Sequence, residues 1–278
     1  MKKINRRSFL AAAGLTAAAL ALTACGGSAS STASSTASSA ASSEAASTSA
    51  AAELTTVEAG KLTMATNAAF PPYEMTTDAG EFEGIDIDTA KAIAEKLGLE
   101  LQIDDMDFDA ALLSVQQGKA DIVMAGVTVT DERKAVMDFS DSYATGIQSI
   151  IVPEGSDITS PDDLAGKKIG TQRGTTGYIY CSDDFGDDAV VAYDDGLTAV
   201  QALNNGQVDA VVIDNAPANE FVPANPGLVI LDTSYAEEDY AIGLAKGSAL
   251  EAAVNAALEE LKADGTLQSI VDKYITAE

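Results

Sequence analysis

The sequence predicts an α/β fold divided into two lobes, and three observations support this. Short apolar segments typical of strands alternate with segments that carry a helical pattern of apolar residues. Residues 116–124 and 204–212 share one order of helix end, glycine, polar turn and buried strand, which suggests two units of similar build. About 219 residues, from Gly60 to Glu278, are enough for two lobes or for one large domain.

The first half of the folded part is predicted to begin with a strand, which two prolines interrupt because neither can donate to a ladder. The predicted elements are strand Lys61–Thr66, hairpin Met75–Phe82, a helix capped by Asp88 and running to Leu97, strand Leu99–Asp105, helix Phe108–Gln117 and strand Ala120–Met124.

The second half continues the alternation, and two of its strands are long and apolar enough to cross between lobes. The predicted elements are crossing strand Gly146–Val152, a short helix from Ser160, strand Lys168–Thr171, a helix through Cys181, strand Val190–Tyr193, helix Leu197–Leu203, strand Ala210–Ile213, helix Ala216–Val222, crossing strand Tyr240–Leu244, and helices Leu250–Leu261 and Leu267–Ile275.

The stretch 125–133 joins a buried strand to a helix and has the features of a carboxylate site. Thr130 can cap the helix, and Asp131 and Glu132 fall in its first turn, where the macrodipole favours negative charge. Arg133 follows within one turn and offers a planar fork suited to a carboxylate. The alternative is an ordinary strand-to-helix turn with a surface arginine.

The N-terminal residues have the pattern of an export signal. A basic start precedes an apolar run that is shorter than the roughly 20 residues of a membrane span. Residues 1–25 end in Leu22-Thr23-Ala24-Cys25, which resembles the lipobox of bacterial lipoproteins and implies lipidation of Cys25; a plain secretory peptide is the alternative. Residues 26–59 are rich in Ser and Ala and predict a flexible tether.

The composition excludes several classes of function. The chain has 16 Lys and Arg against 43 Asp and Glu, a net charge of −27, which argues strongly against nucleic-acid binding because that requires a basic face. It contains no His, which removes the usual general base and the commonest transition-metal ligand. We therefore predict no cofactor and no metal site. With Cys25 lipidated, Cys181 would have no disulfide partner.

Seven segments occur in the order in which a known family carries them. They are Phe70-Pro71-Pro72-Tyr73, Gly84–Asp88, Met106–Phe108, Gly126-x-Thr128-x-Thr130-x-x-Arg133, Asp138–Ser140, Arg173–Thr176 and Val208–Ala210. From about Lys61 to Tyr274 the chain resembles extracellular solute-binding proteins of family 3, the polar-amino-acid group that feeds ABC importers.

That resemblance implies a two-lobed periplasmic-binding-protein-like fold of type II. Lobe 1 would contain residues 60–143 and 241–278, and lobe 2 would contain residues 148–235. The crossing strands would be Tyr143–Ile147 and Ala236–Tyr240, with the ligand in the cleft between the lobes. The protein would be a monomer outside the cytoplasm, attached to the cell membrane only through its lipid, and would deliver an L-amino acid to an ABC permease.

The resemblance also implies roles for individual residues in the cleft. Arg133 would bind the ligand's α-carboxylate, assisted by Thr128 and by the backbone N–H of Thr176. Asp214 would pair with the α-ammonium, together with the carbonyl of Gly126 and the Thr128 hydroxyl. The two further positions that would meet the side chain's tip are Asn67 and Gln172, and the aromatic walls would be Phe70 and Phe108.

The residues also bear on selectivity and on competing functions. Asn67 stands where relatives that bind cationic amino acids often carry Asp, so a neutral polar ligand is favoured, with a basic one next. Glu74 is expected to be exposed, although it could supply an anion if it turned inward. Phe70 and Phe108 could be core aromatics, and Asp214 could be only a helix cap. The competing functions are a dehydratase of cyclic acids on the same fold and a surface adhesion protein; we predict that the chain is not an enzyme.

Overall fold

The computed structural model describes residues 54–275 and contains two central sheets, which confirms the predicted α/β class. The strands are β1 (Lys61–Thr66), β2 (Ala69–Phe70), β3 (Glu74–Thr76), β4 (Phe82–Glu83), β5 (Glu100–Asp105), β6 (Ile122–Val123), β7 (Met137–Phe139), β8 (Ala144–Pro153), β9 (Ile169–Gln172), β10 (Val190–Tyr193), β11 (Ala210–Asp214), β12 (Leu228–Ile230), β13 (Ala236–Tyr240) and β14 (Gly243–Ala245). The predicted signal peptide, Cys25 and tether residues 26–53 lie outside the described residues.

Eight α-helices accompany these strands within residues 54–275. They are α1 (Ile85–Leu97), α2 (Phe108–Gln116), α3 (Asp131–Val136), α4 (Thr176–Phe185), α5 (Gly196–Asn204), α6 (Asn215–Phe221), α7 (Glu251–Ala263) and α8 (Thr266–Tyr274), with short 3-10 helices at Pro161–Leu164, Asp187–Ala189 and Val222–Ala224. None of the described helices is long and apolar enough to span a membrane.

The first sheet has the strand order β5-β1-β6-β14-β7, and the second has the order β10-β9-β11-β8-β12 with β13 paired to β8. In the first sheet β1 lies parallel to β5 and β6, and in the second β9 lies parallel to β10 and β11. Because the carboxyl ends of parallel strands share one edge, the loops that follow β1, β6, β9 and β11 are the natural place for a site.

Two antiparallel strands, β8 and β13, connect the sheets. They pair from Ala144 opposite Tyr240 to Gln148 opposite Ala236, which is the crossing position implied for the second strand. The crossing strand predicted at Tyr240–Leu244 is wrong, because this segment splits between β13 and β14 in different sheets. The backbone amides between β13 and β14 form hydrogen bonds outside the strand pairing. Ala241 N donates to Val127 O (3.1 Å), and Ile242 N donates to Ser140 Oγ (2.9 Å).

The start of helix α1 also differs from the prediction. The helix begins at Ile85 and its cap position is Gly84, so Asp88 lies inside the first turn instead of capping the helix. Gly84 has a φ of 135°, which residues with a side chain rarely adopt, and a Cβ there would lie 2.1 Å from Tyr73 O. The glycine therefore allows the chain to enter the helix directly from strand β4. Asp88 instead accepts a hydrogen bond from Lys273 Nζ of α8 (2.7 Å).

Apolar side chains fill the layers between the sheets and their helices. Leu62, Met64 and Ile122 of the first sheet and Ile151 and Val211 of the second are fully buried. Strand β6 is shorter than the predicted Ala120–Met124, although all five residues are buried as expected. The two sheets are therefore firmly packed, and they hold the loops at their carboxyl edges in place.

Candidate functional site

A small cavity lies where the carboxyl-end loops of the two sheets meet. The nine binding residues predicted from the sequence all line it: Asn67, Phe70, Phe108, Gly126, Thr128, Arg133, Gln172, Thr176 and Asp214. Glu74, Ala125 and Thr175 line it as well. The geometry brings the predicted residues together, while their roles toward a ligand stay predictions.

Arg133 is held by its own helix and by backbone carbonyls from both sides of the cavity. The predicted cap is confirmed, because Thr130 Oγ1 accepts from Arg133 N at 3.2 Å and so fixes the start of α3. The guanidinium donates from Nη1 to Thr128 O (2.8 Å) and from Nη2 to Gly174 O (3.2 Å), and it lies 5.4 Å from the centroid of the Phe108 ring. Arg133 is only 8% exposed, so it is not a surface arginine.

The hydrogen-bond partners found for the Arg133 guanidinium among the described residues are backbone carbonyl oxygens and not carboxylates. Burial lowers its pKa from the usual value, although the nearby charge of Glu238 acts in the opposite sense. A buried guanidinium that binds only carbonyl oxygens has its charge incompletely compensated. A ligand carboxylate in the cavity would supply the missing charge.

Asp214 ends strand β11 on the other side of the cavity. It occupies the cap position of α6 but makes no side-chain capping bond, so the reading as a cap alone does not account for it. Its Oδ2 accepts from Gln148 Nε2 (2.7 Å), and its Oδ1 accepts from the Tyr240 hydroxyl. Burial raises the pKa of Asp214 to about 7; the Tyr240 hydrogen bond opposes this, and the charge of Glu238 adds to it. A bound cation would stabilise its ionised form.

Glu74 contradicts the expectation that it is exposed, because it is fully buried and lines the cavity. Strand β3 pairs antiparallel with β2, with Glu74 opposite Phe70, and side chains of directly opposed residues project from the same face of a sheet. The side chain therefore follows Phe70 into the cavity. This local pairing between two very short strands is difficult to foresee from sequence.

The Glu74 carboxyl group forms a pair with Asp86, which lies behind the cavity wall. Burial and the charge of Asp86 raise the pKa of Glu74 well above its usual value. As a carboxylate, Glu74 would find no donor among the described residues, whereas in its protonated form it can donate to Asp86. Burial also raises the pKa of Asp86 to about 6, although Gly126 N (3.0 Å) and the Tyr143 hydroxyl (2.8 Å) donate to it.

Glu238 is a further buried carboxylate that the sequence analysis missed. Its Oε2 accepts from Thr128 Oγ1 and Thr176 Oγ1, both at 2.9 Å, and from Gln148 Nε2 at 3.2 Å. It lies in an acidic run, Glu237-Glu238-Asp239, which suggests exposure. However, β13 alternates, with Glu238 and Tyr240 buried and the intervening residues exposed. This period of two in a crossing strand is the signal that could have identified it.

The remaining predicted residues form the far end of the cavity. Gln172 Nε2 donates to Asn67 Oδ1 (2.9 Å) across the cavity, and Asn67 Nδ2 donates to Met106 O (3.0 Å). Phe70 and Phe108 are 7% and 6% exposed, and both line the cavity. The two rings therefore also belong to the packed interior, so the prediction of aromatic walls and the alternative of core aromatics are both compatible with their positions.

The arrangement suits holding a ligand. The cavity is small and places a buried guanidinium at one wall and buried carboxyl groups at others. This is the pattern of a compact binding site for a molecule that carries both charges. Within residues 54–275, no group of three His, Cys, Asp or Glu side chains is placed to hold a metal ion.

The fold and the cavity together define a two-lobed binding protein of the periplasmic type. The sequence matches the bacterial extracellular solute-binding proteins, family 3, over residues 62–277, and the chain belongs to this family. The resemblance inferred from the sequence motifs is thus confirmed.

Individual relatives agree with this assignment. The chain is 32% identical to a probable histidine-binding protein of Neisseria gonorrhoeae over 99% of this chain and 98% of that one. It is 33% identical to the L-cystine-binding protein TcyJ of Escherichia coli strain K12, over 80% and 85% of the two chains. The crystal structure of the arginine-, lysine-, histidine-binding protein ArtJ of Geobacillus stearothermophilus matches with a TM-score of 0.75 at 35% identity, covering 78% of this chain and 96% of that one.

Proposed function

We propose that this protein captures an L-amino acid in the cavity and delivers it to an ABC permease. The observation that carries the proposal is the pairing of buried Arg133 with buried Asp214 around one small space. The α-carboxylate and α-ammonium of an amino acid would complete these two groups, and each charge-assisted hydrogen bond contributes about 1.5–3 kcal/mol. Because Arg133 follows a strand of the first sheet and Asp214 ends a strand of the second, a ligand that binds both favours the closed arrangement of the lobes.

We further propose that the amino acid has a cationic side chain. Four buried carboxyl groups, Glu74, Asp86, Asp214 and Glu238, stand at or behind the cavity, against one buried basic residue among residues 54–275, Arg133. A neutral amino acid adds no net charge to this group, whereas arginine or lysine adds one positive charge. Glu74 lies in the cavity wall and is the candidate partner for the ligand's second cation.

The preference for a neutral polar ligand, drawn from Asn67, stays a prediction that competes with this proposal. Asn67 already binds Gln172 and Met106 O, so it is not free to select a side chain by charge. The names of the relatives support the cationic class, because two of the three compared proteins are named for histidine or for arginine, lysine and histidine.

Thermal unfolding of the purified protein with each of the twenty L-amino acids tests both proposals, the capture of an amino acid and its cationic side chain. A ligand at about 100 times its dissociation constant stabilises the folded state by about 2.7 kcal/mol. We expect the largest shift with arginine or lysine. A largest shift with glutamine or another neutral polar amino acid would refute the cationic class alone. No shift with any of the twenty would refute amino-acid capture.

The variant Glu74→Gln tests the assignment of the ligand's second charge. It removes the negative charge that Glu74 would acquire by losing its proton to a cationic ligand, with little change of volume. We expect arginine to bind about tenfold or more weakly, the loss of one charge-assisted hydrogen bond. Glu81→Gln, at an exposed position in the same hairpin, is the matched control and should leave calorimetric affinity unchanged. Equal affinity in Glu74→Gln and wild type would contradict the role of Glu74.

The route to the membrane forms part of the same proposal. Residues 1–25 act as the signal, Cys25 carries the lipid, residues 26–59 act as a tether, and the two lobes comprise residues 60–143 with 241–278 and residues 148–235. The monomer then samples the space above the membrane and meets the permease. Radiolabelled palmitate should enter the wild-type protein and not Cys25→Ser, and the variant should be released into the medium. Labelling of both proteins, or of neither, would contradict the anchor.

A further inference from the structure

The buried carboxylate of Glu238 bridges two hydroxyl groups that come from opposite sides of the cavity. Thr128 precedes α3 at the first sheet, and Thr176 is the first residue of α4 at the second. Both hydroxyls lie 2.9 Å from the same oxygen of Glu238, and the two hydroxyl oxygens lie 3.4 Å from each other. Glu238 therefore determines how these two cavity-lining hydroxyls are oriented.

Each hydroxyl has a single proton, and an ionised carboxylate can only accept. The charge-assisted bonds to Glu238 are shorter than the contact between the two hydroxyls, so both protons point toward Glu238. What Thr128 and Thr176 then present to the cavity are oxygen lone pairs. In this arrangement their hydroxyls can accept from a ligand, but they cannot donate to one.

This orientation narrows the role that the family resemblance implies for Thr128. A hydroxyl whose proton is committed to Glu238 cannot also donate to the ligand's carboxylate. It can still accept from the ligand's ammonium group. The carboxylate is then left to the guanidinium of Arg133 and to backbone N–H groups at the start of α4, which a helix leaves without internal partners.

A second carboxylate shares this wall. Gln148 Nε2 donates to Asp214 at 2.7 Å and to Glu238 at 3.2 Å, so one amide group connects the two. The charge of Glu238 is among the causes that raise the pKa of Asp214 to about 7, which indicates that the two carboxylates lack a cation between them. An ammonium group with three donors can satisfy Asp214 and both threonine oxygens together.

We propose that Glu238 is a specificity-determining residue that turns the Thr128 and Thr176 hydroxyls into acceptors, so that this wall takes an ammonium group and rejects a carboxylate. The inference rests on the proposed function and adds to it the residue that orients these two hydroxyls. Glu238 does not itself line the cavity; it acts through the two threonines.

The opposite possibility is that Glu238 occupies the place of the ligand's own carboxylate. In that case the side chain would have to withdraw before a ligand could bind, and removing its charge would strengthen binding. The two possibilities predict changes of opposite sign in one variant, so a single comparison separates them.

The test compares wild type with Glu238→Gln, using the amino acid that gives the largest shift among the twenty and two analogues of it, one without the α-amino group and one without the α-carboxylate. For arginine these are guanidinovaleric acid and agmatine. We expect Glu238→Gln to bind the amino acid and the amine-only analogue about tenfold or more weakly, and to bind the analogue without the α-amino group within about threefold of wild type. Glu237→Gln, at the exposed neighbouring position of β13, is the matched control and should match wild type throughout.

Circular dichroism shows whether Glu238→Gln is folded, and Thr128→Val provides a second variant that removes one of the acceptors. It should lose affinity for the same two amine-bearing ligands, and Thr128→Ser should restore it. Tighter binding of the amino acid by Glu238→Gln, or an equal loss for all three ligands, would overturn the inference while leaving amino-acid capture intact. A wild-type protein that binds none of the twenty amino acids would refute the proposed function and this inference with it.

Discussion

Asp214→Asn should stabilise the ligand-free protein and abolish binding at the same time. Burial raises the pKa of Asp214 from 3.8 to about 7, so the folded state holds this proton more tightly than the unfolded state does. The stability that this proton contributes is fully present below pH 3.8 and is lost as the pH rises through about 7. Above that pH, ionised Asp214 destabilises the folded state by about 4 kcal/mol, since each pKa unit corresponds to about 1.36 kcal/mol.

Asp214→Asn does not recover all of the free energy of unfolding that ionised Asp214 costs. Asn keeps an acceptor for the Tyr240 hydroxyl, but its amide group meets Gln148 Nε2 as one donor facing another. The lost bond costs about 1–2 kcal/mol, so the expected net gain is about 2–3 kcal/mol near pH 8. Near pH 4 wild-type Asp214 is already largely protonated, and the gain should disappear or reverse.

Urea unfolding without ligand, near pH 8 and near pH 4, measures the difference in free energy of unfolding between Asp214→Asn and wild type. Asp232→Asn, at an exposed position, is the control and should match wild type at each pH. Asp86 titrates in both proteins, so its contribution cancels in the comparison. The contribution of Glu74 cancels only in part, because the charge of Asp214 is one of the causes that raise its pKa. A variant that is no more stable than wild type near pH 8, or that differs from it equally at both pH values, would refute the reasoning. So would retention of amino-acid binding by the variant.

Three further predictions follow from the same geometry. Affinity for the amino acid should fall by up to about tenfold per pH unit below about pH 7, because Asp214 must lose its proton to pair with the ammonium; calorimetry in buffers of different ionisation enthalpy should detect the released proton, and a flat profile would contradict this. Arg133→Lys should weaken binding by about 100-fold or more, since an ammonium cannot form the two-pronged bond to a carboxylate; affinity within a few-fold of wild type would remove Arg133 from the site. Gly146→Ala would place a Cβ 2.4 Å from the buried ring of Tyr240, so thermal unfolding should show a loss of about 1–3 kcal/mol, and an unchanged midpoint would show that the ring can move aside.

The site has two layers of polar side chains, one that lines the cavity and one behind it, and this explains why these predictions are linked. The first layer, Arg133 and Asp214, lines the cavity. Behind it, Glu238 and Gln148 set the orientation of hydroxyl groups and the charge on Asp214. Substituting the second layer should therefore change which ligand groups are accepted, while substituting the first should remove binding.

Much of the fold was predictable from local pattern. Lys61–Thr66 and Val190–Tyr193 form the strands expected from their apolar pattern, and the cap at Thr130 is where the sequence placed it. These features depend on side chains close together in the chain. The start of α1 was not predictable in the same way, because the φ of 135° at Gly84 makes Asp88 unnecessary as a cap.

Some residues of the candidate site could likewise be predicted from the sequence, and others were found only in the structure. Arg133 and Thr176, which belong to the ordered motifs, and Asp214, which the resemblance implied, could be chosen from the sequence and do line one cavity. Glu74 and Glu238 were not chosen, since a glutamate in a short strand or an acidic run is usually exposed. Their burial depends on pairing with β2 and with β8.

The sequence by itself determined the α/β class through its apolar periodicity. Its ordered motifs, through the resemblance they carry, determined the family and nine of the residues that line the cavity. Only the tertiary structure decided the electrostatics of the site. Whether a carboxyl group is ionised, and which way a threonine hydroxyl points, depends on burial and on partners that are distant in the chain: Glu238 is 110 residues from Thr128 and 62 from Thr176. Such partners come together only when both sheets and their crossing strands have formed.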